Sequence, residues 1–327
     1  MYEEAPEPSI QSNEILVRVR ACALNHLDLF VRGGIQGMKF QMPHVLGSDI
    51  AGEVVQAGSL CERVQPGWRV VLSPGTSCRQ CEACLSGQDN LCRRYTLWGY
   101  GRDGGNTELL AAPEYTAIRI PDDLTFEDAA SIPLVFLTAW HMLMTRARLQ
   151  PGEDVLILAA SSGVGSAAIQ IAKLFQCRVI ATAGGEEKMA KAVELGADFV
   201  IDHYREDIAA VVKKITVKRG VDVVIEHVGM ATWQKSLESL AAGGRAVTCG
   251  ATTGFDARVD LRYLFSKQWS LLGSFMGTIG ELHQVLKFVF RKQLKPVIDR
   301  VYPMTEIREA HCRLESKQQF GKIVVTP

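Results

Sequence analysis

The spacing of hydrophobic and polar positions changes once along the chain, near residue 124. Before this point apolar and polar positions alternate, as in residues 13–23, where Ile15 and Val17 point one way and Arg18 the other. Glycines and prolines separate further short runs of this kind, at residues 43–58, 66–72 and 99–112. This part of the chain therefore predicts a β-rich, barrel-like domain.

After residue 124, strand-like runs alternate with stretches of helical spacing. Thr125 and Asp128 form the pattern of a capping box that opens a helix, and Pro133 interrupts the helical run that follows. The repeated strand–helix order predicts a parallel, doubly wound sheet. Residues after 292 offer two more strands and a helix that return to the first domain. The strands of the sheet are predicted at 155–159, 178–182, 199–201, 221–226, 245–249 and 269–273.

A turn of small residues follows the first of these strands and precedes a helix. Such a turn lets backbone approach a pyrophosphate, while the helix N-terminus offers free N–H groups and a positive dipole end. Ala160 and Ser162 occupy places where glycine is usual, so an ordinary tight turn is the alternative. The candidate cofactor-binding residues here are Ser162, Gly163, Val164 and Gly165.

Four cysteines lie close together in the first domain, with the spacing C-x2-C-x2-C-x7-C: Cys78, Cys81, Cys84 and Cys92. Thiolates at this spacing can converge on one ion, which favours a closed, structural zinc site that performs no chemistry. An iron–sulfur cluster is an alternative, although it requires a closer fourth cysteine followed by proline. Disulfides and a site that has lost its metal are the remaining alternatives.

Charge and composition exclude some classes of function. The chain has 327 residues, with 36 lysines and arginines against 36 aspartates and glutamates, so no nucleic-acid or membrane partner is expected. Nine cysteines, four of them clustered, argue against a secreted disulfide framework. No signal peptide is visible and no apolar run reaches the length of a bilayer span. We therefore expect a cytoplasmic protein.

The order of a turn-rich β domain, a cysteine lobe and a nucleotide domain resembles the medium-chain dehydrogenase/reductase superfamily over essentially the whole chain. The segments ALNHLD (23–28), HVLGSDIAGEV (44–54), GVGSAAIQIAK (163–173) and GKIVV (321–325) carry the resemblance. It implies an α/β fold with a Rossmann-type doubly wound parallel sheet and a GroES-like β-barrel catalytic domain. We place the catalytic domain at residues 1–124 and 297–327, its zinc lobe at 78–92, and the Rossmann domain at 125–296. The resemblance also implies a homodimer or homotetramer.

Three positions depart from the zinc alcohol dehydrogenases of that superfamily. The residues that match their catalytic zinc ligands are Asn25, Ser48 and Leu134, none of which is a good ligand for zinc. Asn25 and Asp28, spaced N-x-x-D, resemble instead the zinc-free quinone oxidoreductases. The chain is thus expected to keep the structural zinc and to lack the catalytic one.

Without a metal, neutral hydrogen-bond donors must stabilise the charge that develops on a substrate oxygen. We expect the Asn25 amide and the Ser48 hydroxyl to be these donors, with Asp28 or Asp49 orienting them. Family position places Thr138 near the nicotinamide. Asn25 as a simple helix cap and Ser48 as a simple turn residue are the alternatives.

The second strand of the nucleotide domain indicates which nicotinamide cofactor binds. NAD-binding domains carry an acidic residue at the end of this strand, whereas here the strand ends at Ala183. A small residue followed by Lys188 and Tyr204 resembles the 2′-phosphate site of the quinone oxidoreductases, so NADP(H) is favoured over NAD(H). Glu186 is the feature that favours NAD(H). Backbone beside the nicotinamide is expected at Gly229, Gly250 and Ala251.

These features lead to a hypothesis of function and two rivals. The first is an NAD(P)H-dependent reductase of a small quinone, enone or related activated carbonyl, with a structural but no catalytic zinc. The second is a zinc-type alcohol dehydrogenase acting on an alcohol/aldehyde pair. The third is a dinucleotide-binding sensor or structural protein without turnover.

Overall fold

A computed structural model describes residues 3–35 and 37–327 of the chain. It contains two compact units: unit 1 comprises Met1–Leu134 with Thr278–Pro327, and unit 2 comprises Val135–Gly277. In chain order, the strands of unit 1 are β1 (Glu14–Ala23), β2 (Asp49–Ala57), β3 (Arg69–Leu72), β4 (Gly75–Thr76), β5 (Thr96–Leu97), β6 (Leu109–Pro113), β7 (Ala117–Arg119), β14 (Ile298–Pro303) and β15 (Lys322–Thr326). Its helices are α1 (His26–Gly33), α2 (Glu82–Leu85), α3 (Phe126–Ala130), α10 (Ile279–Phe290) and α11 (Ile307–Glu315).

A seven-stranded sheet forms the body of unit 1 within the described residues. Its order is β14-β15-β1-β2-β3-β7, with β6 also paired to β1, and only β14 and β15 run parallel. The predicted alternation in β1 is confirmed at Arg18, which is exposed while Ile15 and Val17 are fully buried, but Leu16, which was predicted on the same face as Arg18, is buried as well. The short hairpin of β4 and β5 flanks the cysteine lobe.

The units divide at other positions than the sequence predicted. Residues 125–134 and 278–296 were expected in the nucleotide domain but belong to unit 1. The predicted cap at Thr125 is present, and α3, which it opens, packs against β1 and β2. At the other boundary, the Ile279 N–H at the start of α10 donates to Asp89 at 3.2 Å. Both helices therefore belong to unit 1 because of their contacts there, although the predicted boundaries followed the change in sequence pattern.

Unit 2 is the predicted Rossmann-type doubly wound fold. Its strands are β8 (Asp154–Ile157), β9 (Arg178–Ala183), β10 (Phe199–Asp202), β11 (Val221–Glu226), β12 (Leu240–Thr248) and β13 (Ser270–Gly273). They form one parallel sheet in the order β10-β9-β8-β11-β12-β13. The helices are α4 (Pro133–Trp140), which begins at the unit boundary, α5 (Gly163–Leu174), α6 (Glu186–Glu194), α7 (Ile208–Ile215), α8 (Trp233–Glu238) and α9 (Leu261–Ser266).

The core of unit 2 is formed by the inner strands of this sheet and the helices that cover it. Leu156, Ile180 and Val224, from three neighbouring strands, are fully buried together with Val212 of α7. Strands buried on both faces read as continuous apolar runs, which is why the sequence predicted them well. Among the helices of the described residues, none combines the length and apolar character that crossing a bilayer requires.

Candidate active site

The register of the unit 1 sheet brings together residues that are far apart in the chain. Ala23, the last residue of β1, pairs with Asp49 of β2 on one side and with Val324 of β15 on the other. Because both pairings are antiparallel, the residues after Ala23 run past the first residues of β2 and β15. Asn25 thereby meets Asp49 and Lys322, and all three side chains are buried.

Lys322 is the centre of a closed hydrogen-bond network in this cluster. Its Nζ atom donates to the Leu24 carbonyl oxygen at 2.8 Å, to Asn25 Oδ1 at 2.7 Å and to Asp49 Oδ2 at 2.8 Å. Asp49 also accepts the Leu134 N–H at 2.7 Å. An ammonium group has three donors, so each donor of Lys322 has an acceptor inside the protein. The buried positive charge is therefore both paired and solvated by protein oxygens.

Asp28 fixes the backbone on both sides of the cluster. One carboxylate oxygen accepts the Asn25 N–H at 2.7 Å and the other accepts the Gly47 N–H at 2.9 Å. Asp28 is fully buried, and desolvation raises its pKa to about 6 although these N–H groups and Lys322 act in the opposite direction. Asp28 thus holds the backbone of the segments that carry Asn25 and Ser48, and its role in orienting the two donor side chains stays a prediction.

The two predicted substrate donors are engaged within the protein. The Asn25 amide donates to Asp49 Oδ2 at 3.0 Å and to the Ala23 carbonyl oxygen at 3.3 Å. The Ser48 hydroxyl donates to the Trp98 carbonyl oxygen at 2.7 Å. A substrate oxygen would have to replace one of these acceptors. The Ala23 carbonyl oxygen is the most distant of the three, at 3.3 Å from the Asn25 nitrogen. Asp49 is one of the two residues expected to orient these donors, whereas Trp98 is 50 positions from Ser48 and the sequence does not reveal it as an acceptor.

Thr138 belongs to unit 2. It lies on α4 and is buried, with its hydroxyl 4.0 Å from Met276 Sδ. Its predicted place beside the nicotinamide stays a prediction.

The four cysteines of the lobe converge as a metal site requires. Their sulfur atoms all lie within 4.8 Å of one another, with Cys84 3.8 Å from Cys78 and 3.6 Å from Cys81. Thiolates bound at about 2.3 Å around a tetrahedral zinc are separated by about 3.8 Å, so the arrangement fits zinc. Backbone N–H groups, foremost that of Gln80, lower the pKa of the Cys78 thiol to about 5. Although the Cys84 backbone N–H acts to lower it, the pKa of the Cys81 thiol rises to about 11, because hydrogen bonds with neighbouring thiols and burial outweigh that N–H. All nine cysteines are free thiols, so no disulfide competes.

Within residues 3–35 and 37–327, the cysteine lobe is the one cluster of side chains that could hold a metal ion. No second set of three or more histidine, cysteine, aspartate or glutamate side chains converges there in the same way. At the three positions that match catalytic zinc ligands, the Asn25 carboxamide and the Leu134 N–H donate to Asp49, and the Ser48 hydroxyl donates to the Trp98 carbonyl oxygen.

The small-residue turn of unit 2 caps a helix at the carboxyl end of β8. Ser162 is the N-cap of α5, and its hydroxyl accepts the Gly165 N–H at 2.8 Å. Gly165 is required, because a Cβ atom there would lie 2.3 Å from the Ala159 carbonyl oxygen. The small residues Gly163 and Val164 follow at the start of the helix. The turn thus offers a helix N-terminus to an anion, as a pyrophosphate site needs.

The other predicted cofactor residues also follow the carboxyl ends of parallel strands. Gly229, after β11, has a φ of 93°, and a Cβ atom there would lie 2.8 Å from Ala251 Cα, after β12. Gly250 precedes Ala251 in the same loop. Ligands of doubly wound sheets bind along this edge.

Lys188 and Tyr204 flank the end of β9. Lys188 lies in the first turn of α6, and the exposed Tyr204 ring covers Gly184, where a Cβ atom would lie 2.2 Å from the ring. Ala183 ends the strand without a carboxylate. Glu186, the first residue of α6, is exposed.

Two residues of these sites were missed by sequence reasoning. Lys322 lies in the closing segment GKIVV, and its signal in the sequence is a lysine at the start of an otherwise apolar run. His227 follows β11, and its Nε2 atom is 3.1 Å from the Leu158 carbonyl oxygen and 3.4 Å from the Ser162 hydroxyl. Burial lowers the pKa of His227, which keeps it neutral beside the turn.

Models of two known protein families match segments in each of the two units. The model of the alcohol dehydrogenase GroES-like domain matches residues 11–122, and that of the zinc-binding dehydrogenases matches residues 163–291. A crystal structure described as an NAD-dependent alcohol dehydrogenase is 43% identical with a TM-score of 0.96, covering 99% of this chain and 95% of that one.

Curated relatives include both types of enzyme that the sequence resembles. An alcohol dehydrogenase of Geobacillus stearothermophilus is 30% identical over 99% of this chain and 95% of its own length. A quinone oxidoreductase of Homo sapiens is 29% identical over 93% of this chain and 86% of its own. With the two-unit fold, these matches establish that the chain belongs to the medium-chain dehydrogenase/reductase superfamily of NAD(P)-dependent oxidoreductases.

Proposed function

We propose that this oxidoreductase reduces a quinone, an enone or a related activated carbonyl with NADPH, and that it does so without a catalytic zinc. The observation that carries the proposal is the closed network of Asn25, Asp49 and Lys322, which engages the Asn25 side chain and the Leu134 N–H at two of the three positions that match catalytic zinc ligands. A carboxamide and an ammonium group are poor partners for Zn²⁺.

The choice of an activated substrate follows from the donors that remain. NADPH, when bound, would supply the hydride, and water or a nearby hydroxyl would supply the proton that completes the reduction. Conjugation spreads the negative charge that develops on an enone or quinone, so a neutral N–H donor can stabilise it. We assign that donor to Asn25, whose 3.3 Å bond to the Ala23 carbonyl oxygen is the one that a substrate oxygen can displace. Ser48 is the second candidate donor, although its 2.7 Å bond to Trp98 is harder to exchange.

The preference for NADP(H) rests on the end of β9. Ala183 leaves no carboxylate there to accept a bond from a ribose 2′-hydroxyl. Lys188 supplies a positive charge and Tyr204 an aromatic surface next to Gly184, a combination that suits a 2′-phosphate. The negative charge of Glu186 would repel that phosphate, and NAD(H) is therefore the alternative cofactor.

The zinc that we propose is structural and single. Cys78, Cys81, Cys84 and Cys92 would hold it in a closed four-thiolate site. When bound, zinc would cross-link the lobe, and with four protein ligands it would leave no position for substrate.

An alcohol dehydrogenase activity on an alcohol/aldehyde pair is the second candidate. The observation that favours it is the 43% identity to a structure described as an NAD-dependent alcohol dehydrogenase. In that case a second zinc would have to be recruited by residues other than Asn25, Ser48 and Leu134.

A substrate panel separates the two candidates. Purified protein is assayed with NADPH and NADH against quinones and enones, and with NADP⁺ and NAD⁺ against primary and secondary alcohols. We expect kcat/KM for the best enone or quinone with NADPH to exceed that for any alcohol by at least about a hundredfold, and stereospecific transfer of deuterium from labelled NADPH. Turnover of alcohols alone would replace the first candidate with the second.

We also propose a homodimer or homotetramer in the cytoplasm. Within the described residues β13 pairs with β12 alone, so its other edge presents backbone N–H and C=O groups that a second copy can pair with. Nine free thiols suit a reducing compartment. Sedimentation of a monomer at micromolar concentration would contradict the oligomer.

A further inference from the structure

We propose that Lys322 is a positioning residue that orients and polarises the Asn25 amide, so that a neutral side chain can act as the oxyanion donor. This inference rests on the proposed function and concerns a residue that makes no contact with substrate itself. Its three hydrogens are all donated, to the Leu24 carbonyl oxygen, Asn25 Oδ1 and Asp49 Oδ2. Any effect of Lys322 on the reaction must therefore pass through its neighbours.

The first effect is on the orientation of the Asn25 amide. A carboxamide can be placed in two ways that exchange its oxygen and its nitrogen, and only its partners distinguish them. Lys322 can only donate, and the Asp49 carboxylate can only accept. The Asn25 oxygen therefore lies 2.7 Å from Lys322 Nζ and the nitrogen lies 3.0 Å from Asp49 Oδ2. The second N–H of the same nitrogen is thereby fixed toward the Ala23 carbonyl oxygen.

The second effect is on the strength of that N–H as a donor. A hydrogen bond from a charged donor to an amide oxygen draws electron density toward the oxygen and makes the N–H hydrogens more positive. Lys322 is 4% exposed and Asp49 is fully buried, so water screens this effect little. Charge that develops on a substrate oxygen at the Asn25 N–H then meets a polarised donor held in place before the reaction.

A double-mutant cycle tests the proposal. Lys322→Met keeps a similar apolar stem and removes the ammonium group, and Asn25→Ala removes the amide. We expect Lys322→Met to lower kcat by about ten- to a hundredfold, with KM changed by less than about threefold. In the Asn25→Ala background the same substitution should lower kcat by less than about twofold further, because the amide through which Lys322 acts is gone. Independent, multiplicative losses would overturn the proposal.

Stability requires a separate control, since Lys322→Met leaves the Asp49 carboxylate buried without its cation. The cycle is therefore repeated with the double substitution Lys322→Met and Asp49→Asn, which removes both charges and keeps an oxygen at position 49. Arg313→Met is the matched control, because Arg313 forms a partly buried ion pair with Asp299 in the same unit. It should lower the melting temperature and leave kcat within about twofold of wild type.

Two results would contradict the assignment. One is wild-type kcat in a folded Lys322→Met protein, and the other is a loss of kcat in Arg313→Met equal to that in Lys322→Met. The cycle is run on whichever substrate the wild type turns over. Turnover of alcohols alone would therefore defeat the proposed function, while the coupling between Lys322 and Asn25 would still be measured.

Discussion

At the scale of single residues, Asp28 gives the clearest prediction of pH dependence. Burial raises its pKa from 3.8 to about 6, with the Asp49 charge acting in the same direction and Lys322 and the N–H groups of Asn25 and Gly47 opposing it. The folded protein therefore binds this proton more tightly than the unfolded chain. The contribution of Asp28 to the free energy of unfolding is complete below about pH 3 and falls by about 3 kcal/mol as the pH rises through 6.

Asp28→Asn should abolish that fall. Urea unfolding of both proteins between pH 4 and 7 measures the free energy of unfolding as a function of pH. Both proteins contain the same zinc lobe, so its own pH dependence cancels in the difference between them. The free energy of unfolding of the wild type, relative to the variant, should decrease by about 2 kcal/mol over this range, since part of the full change lies below pH 4. A difference that does not change with pH would contradict the assignment of a proton to Asp28.

Lys188 gives a second prediction at this scale. If it faces the 2′-phosphate, Lys188→Ala should raise KM for NADPH by about tenfold and leave KM for NADH unchanged, because the phosphate is the only difference between the cofactors. Lys191→Ala is the matched control on the same helix, where Lys191 pairs with Glu187 at 2.7 Å. Equal effects of Lys188→Ala on both cofactors would count against a phosphate contact.

At the scale of elements, the approach of α5 to the end of β8 depends on Gly165. In Gly165→Ala the new Cβ atom would lie 2.3 Å from the Ala159 carbonyl oxygen, so the helix start must shift. We expect the Kd for NADPH, measured by fluorescence titration, to rise by at least about tenfold.

A second helical glycine serves as the control for this prediction. Gly280 lies in α10, and its nearest neighbour, Thr278 Oγ1, is 3.6 Å from the position of a Cβ atom. Gly280→Ala should bind NADPH as the wild type does, with equal or slightly higher stability. If Gly165→Ala also bound NADPH normally, the turn would not be the pyrophosphate site.

The cysteine lobe is the second element with a direct test. Cys92→Ser should lose the zinc, because a hydroxyl replaces one of four thiolates, and the melting temperature should fall by at least about 5 °C. Cys312→Ser is the control, since Cys312 is an exposed thiol outside the lobe. Elemental analysis and a thermal melt measure both effects. Zinc retained in Cys92→Ser would show that the lobe is not the site.

Elements whose signal is local were predictable from the sequence. The spacing of the four cysteines places them within one loop, and the apolar runs of β8 and β11 need both faces buried. The start of β12 is five residues earlier than predicted, at Leu240, because the sequence from Leu240 to Gly244 carries glycines that are unusual in strands.

At the scale of the whole molecule, the sequence could not reveal what depends on register between distant strands. Lys322 and Asn25 are 297 positions apart, and only the pairing of β15 with β1 brings them together. The same holds for the unit boundaries, which α3 and α10 set through their packing in unit 1. The sequence predicts Asn25, Asp28 and Ser48 as site residues, but it reveals neither the Trp98 carbonyl that accepts the Ser48 hydroxyl nor the Lys322 ammonium that donates to Asn25.

The central claim is that the active enzyme uses one structural zinc and no catalytic metal. The most direct measurement is the zinc content per chain of a preparation whose enone or quinone turnover has been determined in the same sample. We predict one zinc per chain, lost in Cys92→Ser. Two zincs per chain, with turnover lost together with the second of them, would contradict the account.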